Sequence, residues 1–467
     1  MTDKVCIIGA GPSGIAAAKI FHEQSIPFDC FEMGSGVGGL WRYNNDTDRS
    51  PAYRSLHTNT SRDKTAYSDF PMPASYPDYP HHSQMLEYLE AYVDRFGFLD
   101  AIAFRSRVER VEPIDGVEAV DVDTAESSAS VGSGAPVERN AGGSYDVTVR
   151  SLNTGAAETR RYGAVVVASG HHWKPNYPSF AGEFDGIEMH SHAYRTPEIA
   201  AGKRVLIVGV GNSACDIVCE LCETASKTFQ STRRGAHVIP KYLLGRPSDK
   251  WLTPLSARLP FPARSALFRL LIFLTQGRQK SYGFPIPGYR LGSEHPTIST
   301  HLLSMVRRGA ITPKPDIDVL QGRSVRFVDG SEEDIDLIIY ATGYVTTFPF
   351  LGFIEPRDNY LPLYLHLVHP DHPNLFFLGL VQPLGAFPPL AEAQARWVAD
   401  LLTAKTALPS PAEMLRKMQK AEEMRRKRYV DSKRHRIEVD YYPYLWDVER
   451  ERRIGRRRGR GVRDGSD

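Results

Sequence analysis

The sequence predicts an α/β protein made of two strand–turn–helix modules, the second inserted into the first. Three observations predict it. Lys4-Val5-Cys6-Ile7-Ile8 runs straight into Gly9-Ala10-Gly11-Pro12-Ser13-Gly14, then a helical stretch, then a second apolar run at 28–32. About two hundred residues later, Arg204-Val205-Leu206-Ile207-Val208 runs into Gly209-Val210-Gly211-Asn212-Ser213-Ala214, another helical stretch, and a further strand at 227–231. Each copy is later answered by an apolar strand ending in a small-residue turn, at 165–170 and 337–343. This is the grammar of a Rossmann-like unit of the three-layer ββα type, used twice.

The glycine turns carry the first chemistry. Gly9, Gly11 and Gly14, and in the second copy Gly209 and Gly211, let the backbone turn and approach a pyrophosphate, whose charge meets a helix N-terminus. A lone turn of this kind is weak evidence; here both follow a strand and precede a helix. In the first copy the second strand ends in Glu32, eighteen residues past Gly14. A carboxylate there accepts hydrogen bonds from ribose hydroxyls, which expects FAD or NAD. The second copy ends Gln230-Ser231-Thr232-Arg233-Arg234, with no acid and two guanidiniums. Arginine matches a 2′-phosphate in charge and fork geometry, so NADPH is expected over NADH, and Ala214 in the third glycine position fits that choice. Two dinucleotides with opposite ribose chemistry imply electron transfer between FAD and NADPH. The expected domains are a first FAD-binding part at 1–195, an NADPH-binding domain at 196–330, a second FAD-binding part at 331–447 and a basic flexible tail at 448–467.

The remaining elements follow in order. The stretch from Gly116 to Gly143 turns to Ser, Ala, Gly and Glu between strand-like flanks and reads as a long, exposed hairpin loop. Residues 245–300 are rich in Pro, Gly and aromatics, with a helix near 263–276, and read as an insertion that covers a pocket or packs on the first module. Residues 411–436 read as an exposed helix with a polar tail following. Cys219-Glu220-Leu221-Cys222 has redox-pair spacing, but Cys215, Cys219 and Cys222 fall at i, i+4 and i+7, which is a buried helical stripe.

Composition closes off other classes. With 42% hydrophobic and 24% charged residues in a 467-residue chain, neither disorder nor a disulfide scaffold fits. Five scattered cysteines expect a reducing, cytoplasmic compartment, and the strand beginning at Lys4 leaves no room for a signal peptide. No apolar run approaches the roughly 20 residues that a membrane span needs. From Arg450 to Asp467 there are eight arginines against three acids, yet the chain as a whole carries only +2, so its body is not a nucleic-acid binder. No metal-ligand cluster and no nucleophile–base triad is visible. The oligomeric state is left open, a homodimer being one of the states allowed.

Between the modules, the segment Phe184-Asp185-Gly186-Ile187-Glu188-Met189-His190-Ser191-His192-Ala193-Tyr194-Arg195 resembles the FxGxxxHxxxY fingerprint of flavin-dependent monooxygenases. Gly38-Gly39-Leu40-Trp41, Asn59-Thr60-Ser61, Tyr67-Ser68-Asp69-Phe70-Pro71, Lys280-Ser281-Tyr282-Gly283, Ile311-Thr312-Pro313-Lys314-Pro315 and Ala341-Thr342-Gly343-Tyr344 resemble further signatures in family order. The chain is thus identified as a member of the flavin-containing monooxygenase family, most like its animal microsomal branch, over about residues 4–447. Those enzymes carry a hydrophobic C-terminal anchor where this chain has an arginine-rich tail, which implies a soluble version.

The resemblance implies roles residue by residue. Gly9, Ala10, Gly11, Pro12 and Ser13 match the FAD pyrophosphate loop, Glu32 its ribose ligand, and Gly39, Leu40 and Trp41 its flavin-side contacts. Thr58, Asn59 and Thr60 match the segment between flavin and nicotinamide, with Asn59 the catalytic candidate. Gly209, Gly211, Asn212, Ser213, Ala214, Cys215 and Asp216 match the NADP-binding turn, Arg233 and Arg234 the 2′-phosphate site, and Gln382 a position near the pocket. The implied reaction uses NADPH and dioxygen to oxygenate a small nucleophilic substrate, an amine or a thioether, through a stabilised 4a-hydroperoxyflavin. Baeyer–Villiger oxygenation of ketones and an uncoupled, peroxide-producing NADPH oxidase stay open at this point.

Overall fold

The computed structural model describes residues 4–114, 143–430 and 436–464. Its first sheet has six strands in the order Val368–His369, His372–Phe377, Ala164–Val167, Val5–Ile8, Phe28–Phe31, Ile102–Ala103, parallel except for the first strand. The strand Val5–Ile8 is buried on both faces, which is why it reads as an unbroken apolar run. Its alternation still sorts two layers. Val5 and Ile7 join a core with Ile15 and Phe21 of the helix Pro12–Glu23 and with Leu390 and Trp397 of the helix Pro388–Leu402. Cys6 and Ile8 face Val108, Val111, Val147 and Val149 of a three-stranded antiparallel sheet, Ser106–Ile114, Ser144–Ser151 and Ala157–Tyr162.

The second sheet repeats the plan. Its five parallel strands run Thr312–Lys314, Lys227–Ser231, Arg204–Val208, Leu337–Tyr340, Ile187–His190. Val205 and Ile207 pack on the helix Asn212–Leu221, while Leu206 and Val208 face Ile317, Leu320, Val325 and Phe327 of a second, smaller sheet. Val5 pairs with Phe28 and Arg204 with Lys227, so both copies keep the same offset between their first two strands.

Three expectations are corrected. The boundaries at 195/196 and 330/331 cut the second module, because Ile187–His190 and Leu337–Tyr340 are strands of its sheet and Ala181–Phe184 belongs to its smaller sheet. The helix expected over 411–436 spans Pro411–Arg428. The tail at 448–467 is not a loose basic end: the helix Tyr441–Asp464 runs through it, and 465–467 lie outside the described residues. Local charge misleads there, since one neutralising acid, Asp400, comes from elsewhere in the chain while another, Glu451, stands in the same helix. Arg452 Nε donates to Asp400 at 2.7 Å and Arg458 to Glu451 at 2.7 Å, which Lys417 also pairs at 3.1 Å. Gly455 lets this helix close on its neighbour; a Cβ there would sit 2.0 Å from Thr406 Oγ1.

The loop expected between Gly116 and Gly143 falls, up to 142, outside the described residues, though the strands flanking it do pair antiparallel. The helix near 263–276 is observed as Phe261–Gln276. Among the described residues no helix is long and apolar enough to cross a membrane. The linker between modules is fixed by Tyr194, fully buried, whose hydroxyl donates to Glu220 at 2.7 Å.

Candidate active site

The C-terminal ends of both central strands open on one cavity of about 2160 Å³. Such a crevice at the carboxyl edge of parallel strands is where α/β folds bind ligands, and its size exceeds the roughly 300–1,000 Å³ of a single small-molecule pocket. Its first wall holds Gly9, Gly11, Pro12, Ser13, Gly39, Leu40 and Trp41. The same cavity is lined by Gly209, Gly211, Asn212 and Ser213 of the second turn.

Both turns are built the same way. Gly9 has φ +103° and Gly209 φ +126°, a region L-residues avoid, and a Cβ at either would collide with the carbonyl of Ala168 or Ala341. A Cβ at Gly14 would lie 1.8 Å from Gly9 O, so the helix sits against its own turn. The helices Pro12–Glu23 and Asn212–Leu221 begin at Gly11 and Gly211 with no side-chain cap. Their first-turn N–H groups are therefore left for a ligand, and the helix dipole favours an anion there.

Glu32 lines the cavity and is pinned across the first turn: Ala10 N–H donates to Oε2 and Gly34 N–H to Oε1, each at 2.7 Å. Each oxygen keeps a lone pair for a hydroxyl. On the second module Arg233 and Arg234 are exposed side chains at the cavity, with Arg234 lying 3.6 Å from Glu294.

Thr58, Asn59 and Thr60 line the same cavity. Thr58 Oγ1 and Asn59 Oδ1 are buried without a hydrogen-bond partner, as are Ser169 Oγ, His171 Nε2 and Trp173 Nε1 on the same cavity. Buried polar atoms are almost always satisfied, so this concentration fits a wall built to complete its hydrogen bonds with a polar guest. Gln382 also lines the cavity.

Not every expected residue reaches the cavity. Ala10, Gly14, Ala214, Cys215 and Asp216 stand behind the wall. Ala214 and Cys215 are fully buried in the module core, and only Ser213 of the matched run Ser213-Ala214-Cys215-Asp216 faces the opening. The helical repeat turns the next residues inward. Asp216 instead accepts the Tyr53 hydroxyl at 2.9 Å, and burial pushes its carboxyl up to about 6. The three stripe cysteines are free thiols, Cys215 in the core and Cys219 and Cys222 against it.

Several lining residues carry no sequence signal. Arg49 lies 3.9 Å over the Trp173 ring, and burial pulls His171 down to about 4, leaving it neutral. Asp249, from the 245–300 insertion, accepts both the N–H and the Oγ–H of Ser61, at 2.7 and 2.8 Å. Only the description of 245–300 as a pocket cover hinted at it. Among the described residues no group of His, Cys, Asp and Glu is arranged to hold a metal ion.

Comparison with known proteins agrees with this geometry. A family model for flavin-binding monooxygenase-like proteins matches residues 2–127 and 130–455. The chain is 34% identical over 466 residues to flavin-containing monooxygenase 5 of Cavia porcellus, covering 96% of this chain and 82% of that protein. It is 34% identical over 463 residues to dimethylaniline monooxygenase [N-oxide-forming] 2 of Rattus norvegicus, covering 95% and 82%. Among solved structures, S-allyl-L-cysteine S-oxygenase from Allium sativum shares the fold, with a TM-score of 0.69 at 24% identity over 100% of this chain and 94% of that one. The chain belongs to the flavin-binding monooxygenase-like family and is an NADPH-dependent flavin monooxygenase whose cofactors are FAD and NADPH.

Proposed function

We propose that this enzyme oxygenates soft nucleophiles, amines and thioethers, with FAD held by the first module and NADPH by the second. When bound, FAD would supply hydride acceptance from NADPH and activation of dioxygen; the protein supplies position, dryness and hydrogen bonds. The turn Gly9–Gly11 with the first turn of its helix would hold the FAD pyrophosphate, Glu32 its ribose hydroxyls, and Gly39, Leu40 and Trp41 the flavin side. The turn Gly209–Gly211 and Ser213 would hold the NADPH pyrophosphate, with Arg233 on the 2′-phosphate and Arg234 beside it. Ala214, Cys215 and Asp216 would act from behind by holding that turn in place.

One observation carries the reading: Asn59 lines the same cavity as the two glycine turns, and its side chain is an amide. An amide N–H donates a hydrogen bond without offering a proton acidic enough to release peroxide prematurely. The aromatic and proline-rich rim, with Trp41, Trp173, Tyr344 and Phe387, keeps water from the same space. The name of the rat relative, N-oxide-forming, and that of the garlic S-oxygenase support N- and S-oxygenation as the chemistry to test first. The free thiols Cys6, Cys30 and Cys215, all buried, suit the reducing conditions of a cytoplasm.

The test is aerobic NADPH oxidation over trimethylamine, bulkier tertiary amines, thioethers and ketones, with product quantified in each case. N-oxide or S-oxide formed in step with NADPH loss is expected. Ester or lactone from the ketones alone would assign Baeyer–Villiger chemistry instead, and NADPH loss matched only by hydrogen peroxide would make the protein an oxidase.

A further inference from the structure

The segment that carries Asn59 has little of its own to hold it. The helix that follows, Arg62–Thr65, has four residues, far too few to be stable alone. Its N-cap, Ser61, is fully buried, yet the hydroxyl does not cap its own helix. The Ser61 N–H and Oγ–H both go to Asp249 Oδ2, at 2.7 and 2.8 Å, across 188 residues of chain.

Neighbouring contacts point the same way. Lys250 pairs with Asp63, Lys64 Nζ donates to Leu252 O at 3.4 Å, and Lys241 Nζ reaches Thr58 O at 3.5 Å. Residues 58–64 of the first module are thus gripped at both ends by residues 241–252 of the second. Only the Asp249 contacts are short, charge-assisted and made to a fully buried partner. The Lys250–Asp63 pair is solvated, and the two lysine–carbonyl contacts are near the limit of a hydrogen bond.

We infer that Asp249 is a positioning residue for Asn59: a carboxylate that the NADPH-binding module lends to the flavin-binding one, so that the catalytic amide is set only when the modules are seated together. This rests on the role proposed for Asn59, two residues before Ser61. Its consequence lies in the partition of the reaction. Productive turnover consumes substrate, NADPH, a proton and dioxygen and gives oxygenated substrate, water and NADP⁺. With the amide out of place, the same NADPH, proton and dioxygen give hydrogen peroxide and NADP⁺.

The experiment compares product and peroxide per NADPH in the full-length holoenzyme and in Asp249→Ala, Asp249→Asn, Ser61→Ala, Asn59→Ala and the double variant Asp249→Ala/Asn59→Ala. Asp249→Ala is expected to cut product per NADPH about tenfold, the effect of losing a hydrogen bond to a buried group. FAD content should not change, and the KM for NADPH should stay within about twofold, as for a residue outside ground-state binding. Asp249→Asn, whose amide oxygen still accepts the Ser61 N–H, should recover most of the coupling, and Ser61→Ala should fall between. The double variant should be no worse than Asn59→Ala, because both changes act through one amide.

A coupled Asp249→Ala beside an uncoupled Asn59→Ala overturns the inference, and so does a double variant in which the two losses multiply. A fully coupled Asn59→Ala overturns the role of Asn59 itself, and with it this inference. If Asp249→Ala loses its flavin, Ser61→Ala and Asp249→Asn decide, and wild-type coupling in Ser61→Ala then overturns the inference.

Discussion

Asp216 separates a residue that touches cofactor from one that supports the wall behind it. Its carboxyl is buried beside Tyr53 and Glu220, and burial raises its pKa from 3.8 to about 6, with the nearby Lys241 ammonium opposing the shift. Because the folded pKa lies above the unfolded one, the native state binds the extra proton. Stability on this account is highest below pH 3.8 and is lost as pH rises through 6. At 1.36 kcal/mol per unit, the ionised carboxylate costs the fold about 3 kcal/mol at pH 7, and about 1 kcal/mol at pH 4.5. Asp216→Asn keeps an oxygen for the Tyr53 hydroxyl and removes the charge. We expect its thermal midpoint to exceed that of the wild type at pH 7, with the gap closing as pH falls toward 4.5. Because Asp216 stands behind the wall, its KM for NADPH should stay within about twofold of the wild type. Scanning calorimetry across that pH range, with steady-state kinetics, checks both. A variant less stable than wild type at pH 7, or one whose KM for NADPH rises tenfold at unchanged kcat, would refute the reasoning.

Other outcomes follow from the same geometry. Asn59→Ala should retain FAD yet form product about tenfold less efficiently per NADPH, the shortfall appearing as peroxide, as befits a missing donor at developing charge; parallel assays of product and peroxide check it. Arg233→Ala should weaken NADPH by about 1.5–3 kcal/mol, the worth of a hydrogen bond to a charged group, and leave NADH untouched. Arg234→Ala should cost less, since Glu294 already draws on that charge at 3.6 Å, and competitive binding of the two nucleotides distinguishes them. Asp400→Ala removes a carboxylate only 4% exposed that Arg452 and Arg456 share; Arg452 keeps Glu449 at 3.2 Å, so the loss should be about 1.5 kcal/mol, read as a lowered thermal midpoint.

Much of the fold was legible because its strands are buried on both faces. Val5–Ile8 and Arg204–Val208 read as apolar runs, and the glycine turns mark where each ends. Glu32 was legible because its distance from Gly14 is set by one helix and one strand. Asp216 was misplaced because a motif match assigns roles by position, whereas the helix assigns them by angle. The stripe of Cys215, Cys219 and Cys222 already showed which face turns inward, and Cys215 could not occupy both the stripe and the wall. The arginine-rich end was misread for a different reason: Asp400 and Glu413 lie far back in the chain, and no local charge balance contains them. Asp249 is the extreme case, since its partner Ser61 lies 188 residues earlier and nothing around either residue announces the other.

The nesting of one module inside the other also bears on how the chain is made. The strand His372–Phe377, which pairs with Ala164–Val167, and the helix Pro388–Leu402, which packs on Pro12–Glu23, both follow the whole of the inserted sheet in sequence. On the ribosome the guest is therefore finished while its host still lacks an inner strand and a covering helix, and domains tend to fold as units in the order they emerge. The N-terminal part must wait, partly open, until residues 372–402 arrive to close it.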